Sequence, residues 1–293
     1  MKTPLSWLLT LAAGGAFLCV GAAAQADDHN IDLSQQYTYG NVDQGDNRIQ
    51  PQGACGPTAT VNSFVYLQNR YGVNLIPHVD GNDQTQDRIA VVNNLSTRMG
   101  NVGAGVTDQH FLEGKIGYIG DHNLLGTIKV EARGNSITPP AAPFPYAGSP
   151  YVDVVNTTPA WLFLWNQLQA GQDVEVGFTW LNNGGPSSEE SSGHWVTADS
   201  FHFNDLNNNG IIDNNETAQM DFVDPWGAQQ ITGTLIMGGF DGQHMVLTYQ
   251  GGAAGVGASG MIDAIVAESV PEPTSLALLG MGVLALCRRT RKA

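Results

Sequence analysis

Apolar positions recur with two different periods along this chain, and the change from one to the other falls near Gly171. Before it the spacing is helical. Residues 56–71 place Val61, Phe64, Val65 and Leu67 near one face. Residues 87–99 offer Ile89, Val91, Val92 and Leu95, and residues 107–118 offer Phe111, Leu112 and Ile116. The proline-rich run 137–145 reads as a loop, after which Thr158-Pro159 opens a fourth helix, 160–170, stopped by Gly171. Beyond Gly171 the chain breaks into short runs with strand character: 174–180, 194–203, 218–223, 231–237, 244–249 and 261–266. The glycine- and alanine-rich stretch 251–260 reads as a turn between the last strands or as the start of a linker. Helices first and strands later predict an α+β fold, with an N-terminal helical half and a C-terminal antiparallel β-sheet half.

The two ends carry patterns of another kind. Residues 1–26 combine Lys2, a short apolar run and an Ala24-Gln25-Ala26 site, which is the pattern of a secretory signal peptide cleaved before Asp27. Residues 268–293 run through Val270-Pro271-Glu272-Pro273, an apolar stretch to Cys287, and a basic cluster of Arg288, Arg289, Arg291 and Lys292. That three-part order resembles the PEP-CTERM sorting tail of Gram-negative bacteria. The resemblance implies handling by signal peptidase and exosortase, transient anchoring in the inner membrane, and delivery to the cell surface or extracellular matrix. Residues 27–267 are left as one domain.

Charge narrows the partners. The whole chain carries a net −15, but most of the basic residues outside the body sit in the tail. Residues 27–270 hold 26 Asp and Glu against 7 Lys and Arg, a net of about −19. A surface that acidic repels nucleic acid and suits a soluble exported protein or a calcium binder.

With Cys19 and Cys287 in the two ends, Cys55 is the one thiol of the body. It opens the first predicted helix, where backbone N–H groups and the helix dipole favour a thiolate. Pro57 suits the first helical turn, and Gly56 would let a substrate backbone come close. A buried inert thiol is equally compatible with this position alone. A nucleophile needs a base and a group to orient it. Of the histidines, His29 falls in the N-terminal tail, His78 in a loop, and His110 and His122 in or beside a polar helix, while His202 and His244 lie in strand-like runs. His194 begins a strand after a polar loop, and Asp224 ends another before Pro225-Trp226-Gly227. Antiparallel pairing of those strands would set His194 beside Asp224, though an Asp-Pro turn explains Asp224 as well.

Taken together, Cys55-Gly56-Pro57-Thr58-Ala59, Gly193-His194-Trp195-Val196 and Val223-Asp224-Pro225-Trp226-Gly227 resemble the C39-like, papain-fold cysteine peptidases. The resemblance covers roughly residues 50–250 and implies a papain-like fold. It implies Cys55 as nucleophile, His194 as general base and acid, Asp224 as orienting carboxylate, and a peptide or protein as substrate, with no organic cofactor. The glutamine that serves the oxyanion in that family is replaced at its usual place by Ile49, which leaves Gln50, or next Gln52, for that role.

Between base and acid, residues 205–216 satisfy the EF-hand loop pattern. Side chains of Asp205, Asn207, Asn209, Asp213 and Glu216 and the carbonyl of Ile211 would hold a structural Ca²⁺, with Gly210 at the sharp turn. Strand-like flanks make the loop resemble those of extracellular calcium modules. The expectation is an exported cysteine peptidase stabilised by calcium. The rival expectations are a catalytically silent calcium-binding surface protein and a transglutaminase or amidase using the same triad.

Overall fold

The computed structural model describes residues 27–36, 38–77, 84–182, 185–186, 193–213, 216–238 and 243–271. The signal-peptide segment, His78, Asn214 and Asn215 of the predicted calcium loop, and the tail from 272 on lie outside the described residues.

In chain order the elements are β1 (Asp27–Asp32), α1 (Cys55–Tyr71), α2 (Gln84–Arg98), α3 (Asp108–Asp121), β2 (Lys129–Gly134), β3 (Val152–Asn156) and α4 (Trp161–Gln169). There follow β4 (Asp173–Asn182), β5 (Gly185–Pro186), β6 (Gly193–Asp205), β7 (Ala218–Asp224), β8 (Gln229–Ile236), β9 (Val246–Tyr249) and β10 (Ser259–Ser269). All four helices and six of these strands fall where the apolar spacing places them.

The expected papain-like α+β fold, with a helical half beside a sheet half, is not what these elements build. Among the described residues the protein is mostly antiparallel β, with a closed barrel and four short helices. Six strands, β4-β6-β7-β8-β9-β10, pair antiparallel in that order. The ring shuts because β10 also pairs with β4, from Gly260 opposite Trp180 to Glu268 opposite Asp173. Closure removes the edge strands that an open sheet would expose.

Four further strands dress the barrel, of which the two-residue β5 pairs with the end of β4. β2 pairs with the second half of β10, and β3 lies parallel to β2. β1 pairs with the second half of β6, from Asp27 opposite Asp205 to Asp32 opposite Ser200, where β4 no longer accompanies it. His29 of β1 stacks on Phe203 at 4.5 Å between ring centres.

Helix α1 packs on β4, β6 and β7. Its residues from Cys55 to Leu67 are all buried, so it behaves as a core helix and not as an amphipathic surface one. Thr197 Oγ1 on β6 donates to the Ala59 carbonyl of α1 at 2.9 Å, tying the first turns of the helix to the strand that carries His194. A Cβ at Gly177 of β4 would lie 2.7 Å from the Trp195 ring, so only glycine lets that indole lie across β4. Trp195 in turn stacks on Phe111 of α3, 3.6 Å between ring centres.

Candidate active site

The site is assembled where the first turn of α1 meets the start of β6 and the end of β7. β6 and β7 are antiparallel neighbours, Thr197 opposite Val223, which brings the beginning of one beside the end of the other. His194 Nε2 donates to Asp224 Oδ1 at 2.8 Å, and both side chains are buried. The Cys55 thiol lies close enough to the same imidazole for each to shift the other's proton affinity, and both side chains line one cleft. Cys55, His194 and Asp224 are thus brought together in the order that a thiol triad requires.

Electrostatics follow from this contact. Burial raises the Cys55 thiol, but the hydrogen bond and charge of His194, with the backbone N–H groups of Trp195 and Gly56, bring it below the ordinary thiol value. Burial lowers His194, yet the hydrogen bonds to Asp224 and Cys55 outweigh it and raise the imidazole from 6.5 to about 9. Both shifts act in the same direction, toward a thiolate beside an imidazolium, the pairing that makes a thiol nucleophilic.

Asp224 also holds its own turn, since Oδ1 accepts the Trp226 N–H at 2.8 Å. The structural and catalytic explanations of Asp224 meet in one oxygen. The turn is stitched to the segment before Cys55, with Gln44 N–H donating to the Pro225 carbonyl and Gly227 N–H to Asp43 Oδ1. Aromatic rings wall the imidazole: Trp180 stacks on it at 5.7 Å, and Phe178 and Trp226 approach edge-on.

Cys55 and His194 open into a cleft of about 620 Å³, whose walls include Val106, Asp108, Ser136, Thr179 and Asp263. Gly56 does not serve this cleft as open space for a substrate. A Cβ there would meet Val106 Cγ2 at 2.9 Å and Phe111 at 3.0 Å, so its role is to let the α3 wall approach the nucleophile helix.

Gln50 lies elsewhere. Its side chain is exposed and donates to the Asn47 carbonyl at 3.4 Å, while its backbone N–H donates to Asn93 Oδ1. Gln52 is exposed too, and its carbonyl accepts from Asn101 Nδ2. Neither glutamine lines the cleft.

Asp108 and Asp263 were missed by sequence reasoning. Asp108 sits in the first turn of α3, capped by Thr107. Asp263 is the residue that β10 leaves out of its register with β4 between Ile262 and Ala264. Burial, with the charge of Asp263 adding to it, pushes Asp108 up to about 7.

Residues 269–292 match the PEP-CTERM protein-sorting motif. The protein is therefore exported and sorted to the surface through its C-terminal segment, which exosortase recognises during export. Among the described residues no helix is long and apolar enough to cross a membrane. No curated protein and no solved structure matches the chain.

The predicted calcium loop joins β6 to β7. Asp205, buried at the end of β6, accepts backbone N–H groups from Asn207, Asn209 and Gly210, which hold its carboxyl below the ordinary value despite burial. Glu216 spans the loop, accepting from Leu206 N–H and Asp213 N–H. Asp213 Oδ2 accepts the side-chain amides of Asn207 and Asn209, and Ile211 is exposed. The oxygen donors are those that calcium takes, but the asparagines turn their nitrogens, not their oxygens, toward Asp213.

Among the described residues, the trio of acidic side chains whose ligand oxygens lie within 4.8 Å of one another is Asp173, Glu175 and Glu268, not the loop. These three are fully buried around Lys115, which pairs with Glu175 and Glu268, while Ser63 bonds Asp173. The lysine already fills the place of a cation there. Burial and the charge of Glu175 raise Asp173 and Glu268 well above ordinary carboxyl values, against the opposing pull of Lys115.

Proposed function

We propose that the exported protein is a cysteine hydrolase that cleaves peptide bonds through Cys55, His194 and Asp224. The observation that carries this is one imidazole bonded to a buried carboxylate and sharing a cleft with a thiol on which it acts. The motif likeness to C39-like peptidases is kept only as chemistry, since the barrel excludes the papain-like architecture it implies.

The Cys55 thiolate adds to the substrate carbonyl carbon, forming a C–S bond. As the C–N bond breaks, His194 gives its proton to the departing amine. Water, losing a proton to His194, then attacks the thioester and releases the acid, which restores thiolate and imidazolium. With Gln50 tied to Asn47, stabilisation of the oxyanion falls to backbone N–H groups at the start of α1.

We further propose that Ca²⁺ is held by Asp205, Asn207, Asn209, the Ile211 carbonyl, Asp213 and Glu216. The ion would supply fixed positive charge that binds the β6–β7 connection, and this requires both asparagine amides to rotate. The calcium-binding surface protein without catalysis is kept as a second reading, because no glutamine reaches the cleft.

The test compares the wild-type protein with Cys55→Ala on a peptide library and with a thiol-directed probe. Cleavage that requires Cys55, and labelling faster than free cysteine, are expected. Labelling at the rate of free cysteine with no Cys55-dependent cleavage would leave only the binding protein.

A further inference from the structure

Two acidic side chains share the cleft with the thiol, and no lysine or arginine lines it with them. Apart from Cys55 and His194, Asp108 and Asp263 are the ionisable side chains that line it, and no lysine or arginine does so. Each has a local explanation that stops short. Asp108 is a first-turn acid of α3, a position that the helix dipole favours. That accounts for one negative charge and not for a second one facing it. Asp263 accepts a hydrogen bond from Thr179 Oγ1 at 2.5 Å, and His244, which is bonded to Asn135, is near enough for its charge to act on Asp263. Neither contact comes from a lysine or arginine.

The backbone points the same way. β10 departs from its register with β4 at Asp263, and a bulge of this kind re-aims a side chain that regular pleating would send elsewhere. Thr179 and Phe178 of β4, directly alongside, line the same cleft. Like charges held together in a partly desolvated place cost stability, and such a pair is retained where a ligand supplies the opposite charge.

Resting on the cysteine hydrolase reading above, we propose that Asp108 and Asp263 form an anionic subsite that selects substrates carrying a lysine or arginine side chain next to the bond that Cys55 attacks. The cation would lie between the two carboxylates, with its aliphatic stem along Val106 and Phe178. An acidic protein would then take basic segments of other exported chains as its substrates.

The test uses the full chain and reads alkylation of Cys55 by mass spectrometry on the peptide released by cleavage after Arg48 and Arg70. Peptidyl chloromethyl ketones ending in lysine, norleucine or glutamate are compared, with iodoacetamide as a reagent that has no side chain to recognise. The lysine reagent is expected to react about tenfold faster than the norleucine one. Asp108→Asn should lose much of that preference, and Asp108→Asn with Asp263→Asn should bring the ratio near one, each rate being taken relative to iodoacetamide on the same variant. Asp108→Lys, which leaves the bulge untouched, should move the preference toward glutamate. Rates for lysine and norleucine within about twofold, or a preference that survives the double substitution, overturn the subsite while fast iodoacetamide labelling keeps the nucleophile. Slow labelling by every reagent removes the nucleophile, and the subsite falls with it.

Discussion

Replacing Asp224 by asparagine isolates what the carboxylate does for the imidazole. His194 stands at about 9 against 6.5 for a free imidazole, which corresponds to about 3 kcal/mol in favour of the protonated form at 1.36 kcal/mol per pH unit. Since burial acts in the opposite direction, the hydrogen bonds to Asp224 and Cys55 together supply more than that net figure. The amide keeps an oxygen for the Trp226 N–H, so the turn is preserved, but it offers no charge to the ring. Without that charge, the upper limit of the thiolate–imidazolium pair should fall from about 9 to about 7, and the pair at pH 8 by about tenfold. The assay is the rate of Cys55 alkylation by iodoacetamide across the range from pH 5 to 10, read by mass on the Cys55 peptide. Because the thiolate is the attacking species, the variant, whose imidazole no longer keeps the charge that sustains it, should react more slowly than wild type below about pH 8 and recover rate as the thiol ionises at higher pH, with little change in melting temperature. Superimposable profiles would show that Asp224 does not sustain the charge on His194, and the triad would lose its third member.

Other consequences are open to equally direct checks. Asp173 and Glu268 lie well above the ordinary carboxyl values of 3.8 and 4.5, so the folded state binds more protons than the unfolded one above about pH 4. These groups should make the melting temperature fall between pH 5 and 8, as should Asp108 and Asp199, each at about 7. A rise across that window, followed by calorimetry, contradicts the protonated cluster. Lys115→Met would remove the cation buried among Asp173, Glu175 and Glu268 and should cost about 3–5 kcal/mol in urea unfolding at neutral pH, less at pH 5; equal loss at both pH values goes against the charge explanation. With calcium at 10 mM and a Kd of about 1 mM, linkage gives about 1.4 kcal/mol of stabilisation, lost in Glu216→Gln; a melting curve indifferent to calcium and chelator removes the ion. In Gly114→Ala the new methyl would sit 2.4 Å from Met99 Cγ and 3.0 Å from its backbone nitrogen, at the end of α2. A loss of about 1–3 kcal/mol is expected, and an unchanged urea midpoint would show that α2 and α3 are not in such close contact.

Much of the local structure was legible because its signals are local. Val61, Phe64, Val65 and Leu67 mark α1 by their spacing, and the order Cys55, His194, Asp224 could be inferred because antiparallel neighbours necessarily set the start of one strand beside the end of the next. Barrel closure was not legible, since the pairing of Asp173–Trp180 with residues 260–268 leaves no mark in either segment. β2 escaped notice for a different reason: its inward positions, Val130, Ala132 and Gly134, are mostly small, and charged residues alternate with them. Gln50 went astray because the path of the chain before Cys55, and not spacing along it, decides where its amide points. Asp263 could be found only once the register of β10 against β4 was known, because the misfit of that register is what makes Asp263 unusual.

The sorting motif starts at Ser269, which is also the last residue of β10, so the tail leaves the barrel directly from one of its staves. Asp263 lies six residues upstream on that stave, about 20 Å away at strand spacing. Sorting therefore acts on the barrel through one of its own strands: any pull on the C-terminal segment is carried into β10, and so into the strand whose register misfit aims Asp263 at the cleft.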